Sequence, residues 1–261
     1  MHRSLDQRFV IGTPRAFSLI ELLVVIAVVS TLFGILLPML AGSVERARGF
    51  KCQMSQRTVA FDFQIFADEQ LHGDRGEDSG RSSFQIDTFQ ESQYGVDEYW
   101  RWGGDRLTHE TPDSNGNDPM RCPSVREPIT LRNNIACSSG AIGPPQNVSY
   151  GFNARLDRAE IQDSYGRPRA VKVRLRSAVV QESNVPLLID VDGRRAFELS
   201  ANPIYTAPSL DSAGPYAGDR VWFPGLRHDG KANAAFMDGH VASSSAPDEE
   251  PVWRWDYQPI R

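Results

Sequence analysis

Cysteine is scarce in this sequence, with only Cys52, Cys122 and Cys137 present. Three cysteines cannot staple a small loop-rich scaffold, and an odd count permits at most one intrachain bridge with a thiol left over. A surplus of basic charge is missing as well: 28 lysines and arginines face 33 acidic residues, for a net charge of −5. The basic residues are scattered, so the footprint of a nucleic-acid binder is absent and no nucleic-acid partner is expected. Enzymatic signatures are also missing. There is no Gly-x-Ser-x-Gly elbow, no Walker loop and no Gly-x-Gly-x-x-Gly followed by an acidic residue, and His109-Glu110 has no second histidine at ligand spacing. An enzyme is not expected, and no internal repeat divides the 261 residues.

What the sequence does carry is one long apolar run at its N-terminus. Phe17 to Ala41 spans 25 residues. As a helix that is about 37 Å, longer than the roughly 30 Å hydrocarbon core of a bilayer. A carboxylate, Glu21, interrupts it. Ahead lies a leader with Arg3, Arg8 and Arg15 against Asp6. A secretory signal peptide cut near Ala41-Gly42-Ser43 is the rival reading. The run is too long for it, and Glu21 sits where such a segment is most apolar. Flanking charge does not fix orientation, because Arg46, Arg48 and Lys51 against Glu45 balance the leader.

The stretch "RAFSLIELLVVIAVVSTLFGILLP" resembles the prepilin signal of type IV pilins and type II secretion pseudopilins. The resemblance rests on the basic leader, a small residue at Ala16, then Phe17, Glu21 and Pro38. It implies that a prepilin peptidase cuts between Ala16 and Phe17 on the cytoplasmic side and methylates the new amine of Phe17. Ala16 stands where most members have glycine. It further implies that Glu21 pairs with the Phe17 amine of a neighbouring pilin-like subunit, since a buried carboxylate is tolerable beside a cation. Pro38 removes an intrahelical donor and permits a kink.

Residues 43–71 read as an amphipathic continuation of the helix, with Cys52, Val59, Phe63 and Phe66 on one stripe and Met54, Phe61 and Ile65 widening it. His72-Gly73 is a stop signal. The polar stretch 74–83 reads as an exposed loop, and short strands are expected at 84–88, 170–175, 185–190, 219–223, 233–237 and 240–244. Asn153 is placed to cap a helix over 154–162, and the alternating Trp253, Trp255 and Tyr257 suit an edge strand or contact surface. The fold class is therefore α+β: a long N-terminal helix packed on a mainly antiparallel sheet, the pilin-like arrangement. The expected division is a leader at 1–16, a transmembrane assembly helix at 17–41, its amphipathic continuation at 42–72 and a β-rich domain at 73–261.

Within that domain "RHDGKANAAFMDGHVA", residues 227–242, reads as a hairpin with Asp238-Gly239 as a type I′ turn. The stretch also resembles the C-terminal signature of a large bacterial family of pseudopilin-like proteins: a histidine, nine residues, then Asp-Gly. Arg227, His228, Gly230, Asn233, Phe236, Asp238, Gly239, His240 and Val241 match it, with "CPS" at 122–124 and "SYGFN" at 149–153 as further landmarks.

His228, His240, Asp238, Asp190 and Asp192 are groups that suit zinc or another divalent ion. His228 and His240 are not at ligand spacing on one element, however, and polar residues around a hairpin often satisfy backbone groups. Asp113, Asn115 and Asn117 open like a calcium loop, but the glycine and distal glutamate of an EF-hand are missing and a turn is the plainer reading. No cofactor is expected, with calcium at those three residues the alternative left open. The pairings among Cys52, Cys122 and Cys137, and three separate thiols, also stay open.

These readings converge on a structural pilin-like subunit, a pseudopilin of a type II secretion or related filament system. Its partners would be the prepilin peptidase, other pilin-like subunits and inner-membrane lipid. The chain would cross the inner membrane once, N-terminus cytoplasmic before processing and C-terminal domain extracytoplasmic. Two alternatives are a surface ligand-binding protein using the helix only as an anchor, and a secreted domain released after Ser43.

Overall fold

A computed structural model describes residues 18–68, 70–71, 81–94, 120–125, 149–199, 201, 203–210 and 216–257. Helix α1, Leu19–Ala67, runs for 49 residues. The chain divides into two compact units after Val44, so the two parts of α1 belong to different surroundings.

In the first unit the helix meets the length and hydropathy required to cross a membrane. Its large apolar side chains are exposed, among them Leu19, Leu23, Phe33 and Leu37. The hydroxyl of Thr31 donates to the Ala27 carbonyl at 2.8 Å, and that of Ser43 to Met39 at 3.0 Å. Both polar groups are thus satisfied within the helix, as an apolar medium demands. The helix continues through Pro38. Lacking an N–H, that residue leaves the Gly34 carbonyl without its usual helical donor.

In the second unit α1 buries Cys52, Gln56, Val59, Ala60, Phe63, Phe66 and Ala67. These fall on one stripe at helical spacing. Met54 and Phe61 do not widen the stripe as expected; both are exposed. The helix ends at Ala67, where the Asp68 side chain accepts the amides of Gln70 and Leu71. His72 and Gly73 lie outside the described residues.

The stripe packs on β1 (Ser83–Phe84) and α2 (Ile86–Tyr94) through a knot of rings. Phe63 and Phe66 each meet Phe84 and Phe89 edge to face, with centroids 5.2–5.9 Å apart. Such pairs add about 0.5–1.5 kcal/mol beyond area burial. The strand expected at 84–88 is therefore mostly helix. Buried Ile86, Phe89 and Gln90 follow a period of three to four, which a strand cannot bury on one side.

The central sheet has five strands in the order β7-β2-β6-β8-β9: Tyr205–Thr206, Tyr150–Asn153, Pro186–Asp190, Ala232–Phe236 and Val241–Ser244. All neighbours are antiparallel except the β2–β7 pair. Period-2 alternation divides the sheet between two clusters of buried side chains. Leu188, Ala235 and Met237 join the α1 core, while Ile189, Val191, Ala234 and Phe236 pack with Phe223 and Trp255 on the other face. A helix, α3 (Ala154–Asp157), follows β2, and Asn153 caps it by accepting the Arg155 amide. Beyond α3 the expected helix over 154–162 gives way to β3 (Arg158–Gln162), paired residue for residue with β4 (Pro168–Lys172). The strand expected at 170–175 is split between β4 and β5 (Leu175–Arg176), which pairs with β1.

Two further expectations are corrected. Residues 219–223 do not form a strand, because Gly218 and Asp219 take positive φ in a 3₁₀ turn over Ala217–Asp219. The Trp-rich tail is folded into turns rather than an edge strand: Trp255 is buried with its indole donating to Pro247, and Trp253 meets Phe236 edge to face at 5.1 Å.

Gly151 in β2 tolerates no side chain. A Cβ there would lie 2.6 Å from Val191 Cγ1 and 2.9 Å from the Pro203 carbonyl. Gly151→Ala is expected to lower stability by about 1–3 kcal/mol, the usual range for forcing an extra carbon into a packed core. Urea unfolding of the full chain in detergent would read this as a lower midpoint.

Candidate functional site

Two places combine chemistry-bearing residues with a structural reason for their position. The first is the start of α1, where Glu21 lies in the first turn. Its Oε2 accepts the Ser18 amide at 2.8 Å. That bond satisfies a donor the helix itself cannot pair and sets a negative charge against the positive end of the helix dipole. The carboxylate retains further acceptor capacity for another cation. Ala16 and Phe17 lie outside the described residues.

The second place is buried in the second unit, around the last residue of β6. Asp190 is fully buried. Its Oδ1 accepts from Gln56 Nε2 at 2.9 Å, from Arg227 Nη2 at 3.1 Å and from the Cys52 thiol at 3.3 Å. Its Oδ2 accepts the Asn233 amide at 2.8 Å and lies 3.6 Å from His228 Nε2. Cys122 Sγ lies 3.4 Å from the same His228 nitrogen, and Tyr150 donates its hydroxyl to Cys52 Sγ at 3.2 Å. Ligand atoms of Cys52, Cys122, Asp190 and His228 all lie within 4.8 Å of one another.

Local sequence explains the convergence. Cys52 and Gln56 are one helical turn apart on α1, so both face the sheet. Arg227 folds back to the carbonyls of Val191 and Ser149. Gly225 makes room for it, since a Cβ there would meet the guanidinium at 2.4 Å. His228 and Lys231 then close a two-residue hairpin with Asp229 and Gly230 both at positive φ, the signature of a type I′ turn. The turn presents His228 to Cys122, with the ring over Gly49 of α1.

The electrostatics divide the two thiols. Cys122 is held well below the usual thiol range by its hydrogen bond with Cys52, aided by His228 and the charge of Arg227. Cys52 keeps its proton: the hydrogen bond to Cys122, burial and the charge of Asp190 all push it up. Burial drives the Asp190 carboxyl up to about 6, against the pull of Arg227. His228 is raised by its contact with Cys122 and by the charge of Asp190. Among the described residues, the cluster gathers two thiols, an imidazole and a carboxylate in one largely buried space.

The structure thus places the expected residues unevenly. Cys52 and Cys122 come together as free thiols, while Cys137 lies outside the described residues. Asp113, Asn115 and Asn117 lie outside them too. His228 and Asp190 meet, but His240 and Asp238 do not join them. His228 touches α1 at Gly49 and the Gly239 turn touches it at Gln64, positions roughly 22 Å apart along a helix axis. His240 instead bonds Asp238 at 2.6 Å and stacks on Phe236, and Asp192 accepts the amides of Arg194 and Arg195 at the start of α4, Gly193–Glu198. The type I′ turn expected at Asp238-Gly239 is in fact at Asp229-Gly230. Gly239 alone of the former pair has positive φ, which fits a three-residue loop with a bulge. Asn233 serves the site twice, through its amide to Asp190 and its side-chain oxygen, which accepts from Ser243 at 2.6 Å. Gln56 and Arg227 had no assigned role in the cluster. A glutamine on an otherwise apolar helix stripe was the available signal.

Residues 14–37 match the family model described as the prokaryotic N-terminal methylation motif. No curated protein and no solved structure matches the chain. The motif, with the long exposed apolar helix behind it, supports a type IV pilin-like protein that is a prepilin-peptidase substrate. It points to a structural role rather than an enzymatic one, and it is consistent with membrane anchoring.

Asp190→Ala would leave the Arg227 guanidinium buried without its carboxylate. Removing one partner of a buried pair costs about 3–5 kcal/mol. Thermal unfolding of the full chain should therefore show a large loss of stability for Asp190→Ala, far beyond that of the exposed control Asp248→Ala.

Proposed function

We propose that this chain is a pseudopilin: a structural subunit of a type II secretion or related type IV filament system, built into the filament through α1. The observation that carries the reading is the methylation motif over residues 14–37, a span that holds Ala16, Phe17 and, four residues on, Glu21. Processing between Ala16 and Phe17 on the cytoplasmic face would leave a methylated Phe17 amine. The rest of the chain then stays membrane-held with its β domain on the extracytoplasmic side.

The assembly role gives Glu21 its purpose. A carboxylate in a membrane helix costs at most roughly 2.5–3.5 kcal/mol on insertion scales, the value at the helix centre. The Ser18 amide offsets part of that cost within the chain. The methylated amine of a neighbouring Phe17 supplies the opposite charge in a bundle of such helices. Glu21 then sets the axial register between subunits and favours assembled over isolated chains.

Mass spectrometry of the chain recovered from the membranes of cells that contain a prepilin peptidase tests this reading. The expected mature N-terminus is N-methyl-Phe17. An N-terminus at Val44 would instead mean release by signal peptidase and end the filament reading. Enlarging the residue before the cut, as in Ala16→Leu, is expected to leave the leader attached, seen as an unprocessed full-length mass.

A further inference from the structure

We propose that Cys52, Cys122, Asp190 and His228 form a metal centre for one divalent transition ion, zinc by its chemistry, which fastens helix α1 to the sheet. This inference is independent of the filament reading.

Cys52 Sγ lies 3.3 Å from Asp190 Oδ1, Cys122 Sγ lies 3.4 Å from His228 Nε2, and His228 Nε2 lies 3.6 Å from the other carboxylate oxygen, Asp190 Oδ2. No pair of the four ligand atoms is more than 4.8 Å apart. A zinc tetrahedron with ligand distances of roughly 2.0–2.3 Å has edges of about 3.3–3.8 Å, the range in which these three separations fall. Two sulfurs, an imidazole nitrogen and a carboxylate oxygen are ligands zinc accepts in four-coordinate sites.

The charges close as well. Two thiolates and the Asp190 carboxylate carry three negative charges; a divalent ion and the adjacent Arg227 guanidinium carry three positive ones. Such a site is neutral, which spares a largely buried cluster the desolvation cost of net charge. The hydrogen-bond pattern of Asp190 leaves a place for the ion. A carboxylate has about four lone-pair positions. Gln56, Arg227 and the Cys52 thiol all donate to Oδ1, while Oδ2 accepts only the Asn233 amide and keeps a lone pair on the side of His228. Metal binding releases the Cys52 thiol proton and sets the cation against the carboxylate between Cys52 and His228. Gln56 and the Asn233 amide then act as the outer partners that orient a ligating carboxylate. The cluster also borders the surface at one ligand. His228 and Asn233 both line a surface groove of about 330 Å³, together with Glu45, Gly49 and Lys231.

The competing outcome for two neighbouring cysteines in an oxidising compartment is a disulfide. The test uses the full chain purified in detergent without added metal, analysed for metal content and then, after chelation, titrated with Co(II) and with Zn(II). The expected result is one zinc per chain, and a cobalt form with a thiolate-to-metal charge-transfer band that zinc abolishes. Cys122→Ser and His228→Ala should weaken zinc binding by more than the roughly 10–100-fold that loss of an outer partner costs. The cobalt band of the unaltered chain needs no variant, so misfolding of a variant does not blunt the test. A Cys52–Cys122 disulfide in the non-reduced peptide map would overturn the proposal. So would a cobalt spectrum without thiolate character, or a zinc affinity unchanged in a folded Cys122→Ser chain.

Discussion

The second unit is organised around one buried carboxylate. Asp190 ends β6 and is the point at which α1, β8, the segment carrying Arg227 and the Cys122 loop all meet. Gln56 reaches both Asp190 and the Asn233 carbonyl, while Gln53 and Gln64 reach Asn233 and Met237. Three glutamines thus fix the helix along β8. An aliphatic stripe alone could slide along the sheet. A charged hydrogen-bonded centre cannot shift without leaving buried donors and acceptors unpaired, at about 1–3 kcal/mol each. The Phe63, Phe66, Phe84 and Phe89 cluster supplies the apolar burial, and Asp190 supplies the register.

Glu21 poses the same physical problem in the first unit and calls for another solution. Both carboxylates stand away from bulk water, one in the protein interior and one in a membrane-spanning segment by the proposed reading, and both need a compensating positive charge or donors. Asp190 finds them within its own chain in Arg227, Gln56 and Asn233. Glu21 finds the Ser18 amide at 2.8 Å, but its neighbours on the helix, among them Leu19, Ile20, Leu22 and Leu23, are apolar and exposed. In the proposed filament the missing charge comes from a second copy. One carboxylate then secures the fold, and the other links subunits.

Much of this was legible in the sequence, and the gaps have physical causes. The N-terminal segment announces itself through length, leader and a single misplaced carboxylate. The α1 stripe was legible because its period survives over several turns, and β6 and β8 because their apolar runs are bounded by turn residues. Short elements failed where local pattern and tertiary pairing compete. Residues 84–88 look like a strand in isolation, yet Ile86, Phe89 and Gln90 bury one face of a helix. Two Asp-Gly pairs, Asp229-Gly230 and Asp238-Gly239, lie nine residues apart in one stretch, and composition alone could not say which makes the type I′ turn. The choice depends on His228 reaching Cys122, a contact between residues 106 apart. Asp190 was legible as a candidate ligand beside His228, but not as the centre of a cluster, because its partners are scattered from position 52 to position 233.

The claim that Glu21 joins copies of this chain is tested most directly by cross-linking within the membrane. Single cysteines placed on the exposed apolar helix, at Leu22 or Val29, would be oxidised in membranes from cells carrying the processing peptidase. Chains with Glu21 intact should form dimers through a restricted set of positions, and Glu21→Ala should abolish that pattern. An identical cross-linking pattern with and without Glu21 would contradict the account and leave the helix as an anchor alone.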